Sequence, residues 1–315
     1  GLGDVYKRQR LIQLDDRYEP ARTQANVGRL IEHNGVFALF GTVGTPTTRT
    51  VLPLVERRGI PLIAPMSGAA LLRQPGQRQV FHLRASYADE AERIVDYLAR
   101  AGWTRVALVT QNDAFGSDVG GSLRDSLSRR GITPVTTARV ERNSSRTGSQ
   151  AEQVARSRPD AVVVISTYGT VASLVDELHR RRSHPQIMTV SFVGTKALLQ
   201  ALPRGQANGI GVTQVVPFPW DGRVPVVRDY QRAMRAGSPD ARLDYTSLEG
   251  YMAARVVVEA LRRAGPQLSR ARFVQGLESL NPHDLGGFAV RFAPNKRSGG
   301  RFVDLTFLGA HAWEP

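Results

Sequence analysis

Apolar residues follow two rhythms along the chain. Short runs rich in Val, Ile, Leu and Phe predict buried strands over 36–40, 60–64, 80–84, 105–110, 134–140, 161–166 and 186–192. The run Ala161-Val162-Val163-Val164-Ile165 is wholly apolar, as a strand covered on both faces must be. Between the runs, amphipathic spacing predicts helices over 20–32, 46–58, 88–101, 116–130, 149–156, 170–181, 225–236, 247–264 and 271–280. Gly59 and Gly131 stand where two of these helices stop. A further strand is expected over 10–14, ending in Asp15-Asp16. Helices alternating with short strands predict an α/β protein with parallel sheets. The units are too many for one mononucleotide-type fold, so two α/β lobes are expected. No sharp linker divides them, which predicts lobes that exchange chain segments.

Composition narrows the function classes. With 41% hydrophobic residues in 315, the chain can bury a sizeable core, and no apolar run approaches the roughly 18 residues of a membrane span. The absence of cysteine removes disulfide partners, thiol nucleophiles and thiolate metal sites, and leaves the redox compartment open. The net charge is +14, but the cations, nearly all arginines, are scattered as in Arg57-Arg58, Arg129-Arg130 and Arg180-Arg181-Arg182. A nucleic-acid binder would gather them into one stripe with interleaved aromatics. They fit solvated helix faces instead, so no nucleic-acid partner is expected, although the net charge would steer anionic ligands. Residues 1–9 lack an initiator Met, an apolar core and a cleavage site, and are expected to be a non-native tail rather than a signal peptide.

Enzyme signatures fail in turn. There is no G-x-S-x-G elbow and no Walker loop, and Gly209-Ile210-Gly211 is followed by Gln214 where a dinucleotide fingerprint needs glycine. The histidines are dispersed; His179 and His184 are near in sequence, but a five-residue interval including Pro185 is poor metal-ligand spacing. Asp15-Asp16 form a solvated turn rather than an acid/base pair. Asn143-Ser144-Ser145 matches a glycosylation acceptor, a pattern short enough to arise by chance. No catalytic residue, cofactor or metal is expected.

What recurs is a hydroxyl-bearing turn after a strand. Thr45-Pro46 follows 36–40, Ser67-Gly68-Ala69 follows 60–64, Asp113-Ala114-Phe115-Gly116 follows 105–110, and Thr167-Tyr168-Gly169-Thr170 follows 161–166. Thr45 suits an N-cap and Pro46 a first helical residue. A single Thr or Ser in such a place is ordinarily a helix cap. Several on one sheet edge point further, because ligands of open parallel sheets sit beyond the strands' carboxyl ends, where helix N-termini favour anions. The Thr45 and Ser67 hydroxyls are therefore expected to hydrogen-bond a carboxylate, with Phe115 and Tyr168 available to cover the ligand.

From Asp15-Asp16-Arg17-Tyr18-Glu19-Pro20 onward the chain resembles the leucine/isoleucine/valine-binding type of periplasmic solute-binding protein, the receptors of ABC importers. The pieces that carry the resemblance are Phe40-Gly41-Thr42-Val43-Gly44-Thr45-Pro46-Thr47, Arg84-Ala85-Ser86-Tyr87-Ala88-Asp89-Glu90, Gln111-Asn112-Asp113-Ala114-Phe115-Gly116, Thr213-Gln214-Val215-Val216-Pro217 and Leu248-Glu249-Gly250-Tyr251 followed by Leu285-Gly286-Gly287.

The resemblance implies a type 1 periplasmic-binding fold, two Rossmann-like lobes joined by three hinge crossovers near 84–88, 213–218 and 284–290. Lobe 1 would comprise 10–86 and 217–284, and lobe 2 would comprise 87–216 and 285–315. It implies an extracytoplasmic location, a membrane permease as partner, and a ligand clamped between the lobes, its carboxylate taken by Thr45 and the Ser67-Gly68-Ala69 loop and its body covered by Phe115 and Tyr168, with Ser86 and Tyr87 as weaker candidates. The same fold also serves ligand-sensing regulators and receptor ectodomains of the amide-sensor kind, an alternative that stays open. Two departures accompany the resemblance. The family's first strand, loop and helix are absent from lobe 1, which implies weak or no ligand binding. Where amino-acid binders of the family place a carboxylate after the strand assigned to 186–192, this chain has Val193-Gly194-Thr195-Lys196. A buried ammonium without a counter-charge is costly, so an amine-free acid or amide is the expected ligand.

Overall fold

The computed structural model describes residues 9–238 and 240–309. In chain order the elements are α1 (Pro20–Glu32), β1 (Leu39–Phe40), α2 (Thr45–Arg58), β2 (Leu62–Ile63), β3 (Val80–Phe81), α3 (Tyr87–Arg100), β4 (Val106–Gln111), α4 (Ala114–Ser128), β5 (Thr136–Val140), α5 (Gly148–Ser157) and β6 (Ala161–Ile165). They continue as α6 (Tyr168–Arg180), β7 (Gln186–Thr189), α7 (Thr195–Ala201), β8 (Gly211–Gln214), α8 (Pro225–Gly237), α9 (Tyr245–Ala264), α10 (Arg270–Glu278), β9 (His283–Asp284), β10 (Ala289–Val290) and β11 (Asp304–Phe307). The chain divides into two compact units: Gly1–Ala85 with Phe218–Arg301, and Ser86–Pro217 with Phe302–Pro315.

Unit 1 is built on the parallel sheet β1-β2-β3 and a β9–β10 hairpin. Its core sets Val27 of α1 and Val51 and Val55 of α2 against Leu39, Leu62 and Val80 of the strands. Unit 2 holds a six-stranded sheet in the order β11-β8-β7-β6-β4-β5, parallel except for β11. All residues of its β4 and β6 are buried, which is why those segments lack polar alternation. The helices start where side chains satisfy their free N–H groups: Ser86 and Asp89 form a reciprocal capping box on α3, and Asp113, Asp244 and Ser269 cap α4, α9 and α10. Arginines on the helix faces pair with acids one turn away, as in Arg156–Glu152, Arg180–Asp176 and Arg263–Glu259.

Three expectations differ from the structure. No strand forms over 10–14; Leu11 is 78% exposed, and no neighbouring strand pairs with the segment among the described residues. The strand expected over 186–192 ends at Thr189, because Ser191–Val193 turns as a 3-10 helix into Gly194 at φ 69° and α7 follows. The third crossover lies between Arg301 and Phe302 rather than at 284–290. Residues 285–301 stay with unit 1: the His82 N–H donates to Arg297 O (2.8 Å), the Gly299 N–H to His82 O (2.8 Å), and Phe292 packs edge-on against Phe81 at 5.4 Å. A Cβ at Gly300 would lie 2.0 Å from Leu83 O, so glycine permits this approach. Most of the tail assigned to 1–9, and residues 310–315, lie outside the described residues.

His82 is fully buried in unit 1. Its Nε2–H donates to Leu72 O at 2.7 Å, and Nδ1 has no hydrogen-bond partner. Burial, reinforced by the charges of Arg73 and Arg84, holds its pKa well below 6.5. The unfolded chain takes this proton at about pH 6.5 and the folded chain does not, so stability falls as pH drops below that value. The melting temperature is expected to decline between pH 7 and pH 5, and less steeply in His82→Gln; equal slopes by differential scanning fluorimetry would refute this role.

Candidate ligand-binding site

In unit 1, β1 and β2 run parallel with Leu39 opposite Leu62 and Phe40 opposite Ile63, so the turns leaving their carboxyl ends emerge side by side. A bridge between Val43 and Met66 prolongs the register: the Met66 N–H donates to Thr42 O (2.7 Å) and the Gly44 N–H to Met66 O (3.2 Å). This brings together residues 22 positions apart, and Thr45 Oγ1 lies 2.8 Å from Ser67 Oγ. Ser67 Oγ also accepts the Ala69 N–H at 3.2 Å. Thr45, Ser67, Gly68 and Ala69 are all buried. The expected cluster on this unit is thus one contiguous turn pair.

The local roles differ from the expected ones. Gly44, not Thr45, is the N-cap of α2, and Thr45 and Pro46 are its first two helical residues. Gly44 sits at φ 97°, and a Cβ there would fall 2.1 Å from the Tyr18 ring, so no side-chain-bearing residue fits. Ser67 heads no α-helix; only the three-residue 3-10 turn Ala70–Leu72 follows it. Its hydroxyl is held by Ala69 and Thr45 instead. Thr47 turns its hydroxyl inward to the carbonyls of Val43 and Gly44. Two hydroxyls that share a single mutual bond keep one O–H proton to donate, beside the Thr45 N–H in the first turn of α2. The pair can offer hydrogen bonds to an anionic oxygen.

In unit 2 the neighbouring strands β4 and β6 present their carboxyl ends together. Ser166 Oγ donates to Gln111 Oε1 (3.2 Å), and Gln111 Nε2 donates to Asp113 Oδ2 (2.7 Å). Asp113 Oδ1 in turn accepts the Phe115 N–H at 2.9 Å and the Gly116 N–H at 3.4 Å. Phe115 is fully buried, with ring centroids 5.3 Å from Tyr87 and 4.7 Å from Phe192. Tyr168, the first residue of α6, is 49% exposed. Thr167 is the N-cap of that helix, while Thr170 donates to Ser144 O at 2.6 Å. Ser86 is committed to the α3 cap, and Tyr87 to the aromatic cluster.

Sequence reasoning missed Glu90. It is fully buried and accepts the Ser191 N–H (2.8 Å) and Ser191 Oγ–H (3.0 Å), together with the Thr213 hydroxyl. Beside it, Gln214 Nε2 donates to Thr195 Oγ1 at 2.8 Å. A carboxylate therefore does stand beyond the carboxyl end of β7, but α3 supplies it. Held by the Ser191 N–H and by the Ser191 and Thr213 hydroxyls, Glu90 organises the Ser191 turn. Its spacing three residues after Tyr87 and four before Ile94, both on the buried face of α3, was the available signal. Among the described residues, no three His, Asp or Glu side chains converge to hold a metal, and no helix is long and apolar enough to cross a membrane.

The profile of the family described as "Periplasmic binding protein" matches residues 7–303. A possible leucine/isoleucine/valine-binding protein from Rhodopirellula baltica is 34% identical, with a TM-score of 0.89 over 96% of this chain and 83% of that one. A substrate-binding periplasmic protein from Ralstonia solanacearum is 27% identical, with a TM-score of 0.87 over 94% and 84% of the two chains. A branched-chain amino acid ABC transporter structure from Thermus thermophilus with bound valine shares the fold at 19% identity, with a TM-score of 0.82 over 94% and 81%. No curated protein matches the chain. The profile spans nearly all of the two-unit α/β architecture, and the chain belongs to the periplasmic binding protein family, with a type 1 periplasmic-binding fold.

Proposed function

We propose that the protein is an extracytoplasmic solute receptor that binds a small ligand through a carboxylate or amide, unchanged, and delivers it to the permease of an ABC importer. The observation that carries the reading is the Thr45–Ser67 hydroxyl pair, 2.8 Å apart at adjacent carboxyl ends of a parallel sheet. Thr45, Ser67, Gly68 and Ala69 are assigned to the ligand's acid or amide group, and Phe115 and Tyr168 are assigned as ring-bearing ligand contacts on unit 2. Family membership supports binding without bond chemistry, and the 34% identity to a possible leucine/isoleucine/valine-binding protein supports a ligand of that size. With the acceptor sites of Glu90 largely engaged, an amine-free acid or amide is preferred to an amino acid.

The test compares leucine, 4-methylpentanoate and 4-methylpentanamide by thermal shift and calorimetry. The amine-free acid or amide is expected to raise the melting temperature more than leucine, and leucine as the strongest ligand would overturn the preference. Thr45→Val keeps the side-chain shape and removes the hydroxyl, and should weaken a bound acid by about 1–3 kcal/mol. Unchanged affinity would remove Thr45 from the site.

A further inference from the structure

We propose that unit 2 carries a second site, for a divalent transition-metal ion, built from His179 and His184 at the amino-terminal edge of its sheet. A cavity of about 630 Å³ opens there, lined among others by Trp103, His179, His184, Gln206 and Asn208. Its walls include Asp160, Gln186 and Ile210, which stand at the starts of β6, β7 and β8. The turns that carry Phe115 and Tyr168 leave the opposite, carboxyl ends of β4 and β6. Within unit 2 the cavity and the turns of Phe115 and Tyr168 therefore lie at opposite ends of the strands.

Three features make the lining rich in electron pairs. His179 and His184 are brought into ring contact, with centroids 4.9 Å apart and planes at 78°, although five positions separate them in sequence. α6 carries His179, and the turn between α6 and β7 returns His184 to it. His179 Nδ1 lies 3.2 Å from Val175 O. A carbonyl can only accept, so Nδ1 carries the proton and the Nε2 lone pair is left for a ligand. Metal-binding histidines are commonly fixed in this way by a backbone carbonyl behind the ring. The third feature is Gln206, whose Nε2 donates to Asp176 Oδ1 at 3.1 Å while its buried Oε1 has no hydrogen-bond partner. That oxygen is an acceptor in want of a donor or a cation. Imidazole nitrogens favour zinc, nickel and copper over magnesium and calcium, and water can complete the coordination of a site with few protein ligands.

Titration of the whole protein with Cu²⁺, followed by calorimetry and electron paramagnetic resonance, tests the proposal. The expected result is one site whose spectrum shows coordination by two imidazole nitrogens. Loss of a metal ligand should cost at least as much as loss of an outer-shell partner, so His179→Ala and His184→Ala should each weaken Cu²⁺ by about 10–100-fold or more. Both side chains are exposed, so the variants are expected to fold, and an unchanged circular dichroism melt checks this. His33→Ala, at an exposed histidine of unit 1, serves as the control and should leave the site intact. Absence of a saturable Cu²⁺ site, or equal Cu²⁺ affinity in wild type, His179→Ala and His184→Ala, overturns the proposal. Either result leaves the carboxylate reading untouched, because the ligand panel probes other residues.

Discussion

Glu249→Leu is expected to cost about 3–5 kcal/mol of folding stability, the usual effect of removing one member of a buried ion pair. Arg84, whose side chain is 1% exposed, grips Glu249 of α9 with two parallel bonds, Nε to Oε1 and Nη2 to Oε2, both 2.8 Å. Bidentate geometry of this kind combines charge with orientation. The pair fixes Arg84 one residue before Ala85, the last residue of unit 1 before the chain first crosses to unit 2. Truncating the acid leaves a desolvated guanidinium without its carboxylate. Replacing both partners, as Arg84→Met with Glu249→Leu, should recover most of the loss, since an apolar pair of similar volume is often neutral or better. Urea unfolding of the two singles and the double variant gives the coupling energy. Additive losses would show that the pair contributes nothing beyond its separate side chains.

The second large effect concerns two glycines on one helix. Gly116→Ala in α4 is expected to destabilise unit 2 by about 1–3 kcal/mol or more, the cost of overpacking. Its Cβ would stand 1.9 Å from Gln111 O, a backbone atom that cannot swing aside. Gly121→Ala, in the same helix with nothing within 4 Å of its Cβ, should instead stabilise by about 0.5–1 kcal/mol. Opposite signs in thermal melts would identify the close approach of α4 to β4 as the reason for Gly116; matching signs would sink that explanation. The same approach sets the position of Phe115, the residue before it.

Periodicity revealed α2, α3, α4, α6 and α9 to within a few residues, because each pairs an apolar stripe with an identifiable cap or a stop such as Gly59. The strands β4 and β6 were equally plain, being apolar on both faces. The short α7 and the antiparallel β11 escaped, since seven and four residues carry too little pattern to outweigh flanking turns. The third crossover, which the resemblance implied near 284–290, lies between Arg301 and Phe302. The glycine that matters is Gly300, and its constraint is a carbonyl more than 200 positions away. At the candidate site, residue types and sheet edge were legible in the sequence. The mutual bond of Thr45 and Ser67 was not, since it depends on the Val43–Met66 register. Glu90 was hidden by the same limit: Ser191 and Thr213, which make it an anchor, are far from it in sequence.

One guanidinium ties together three segments of unit 1. Arg73 Nη2 donates to Ser67 O (3.4 Å), Arg84 O (3.1 Å) and Ala85 O (3.1 Å), while Nη1 donates to Ser298 Oγ (2.8 Å). A single planar cation thus splints the Ser67 turn to two segments that lead to the ends of the unit's chain stretches. Displacing the chain at Arg84 or Ala85 relative to this turn must break charge-assisted bonds to Arg73. The Ser67 turn is thereby preset against the 84–85 and 298 segments of unit 1, whatever happens beyond Ala85.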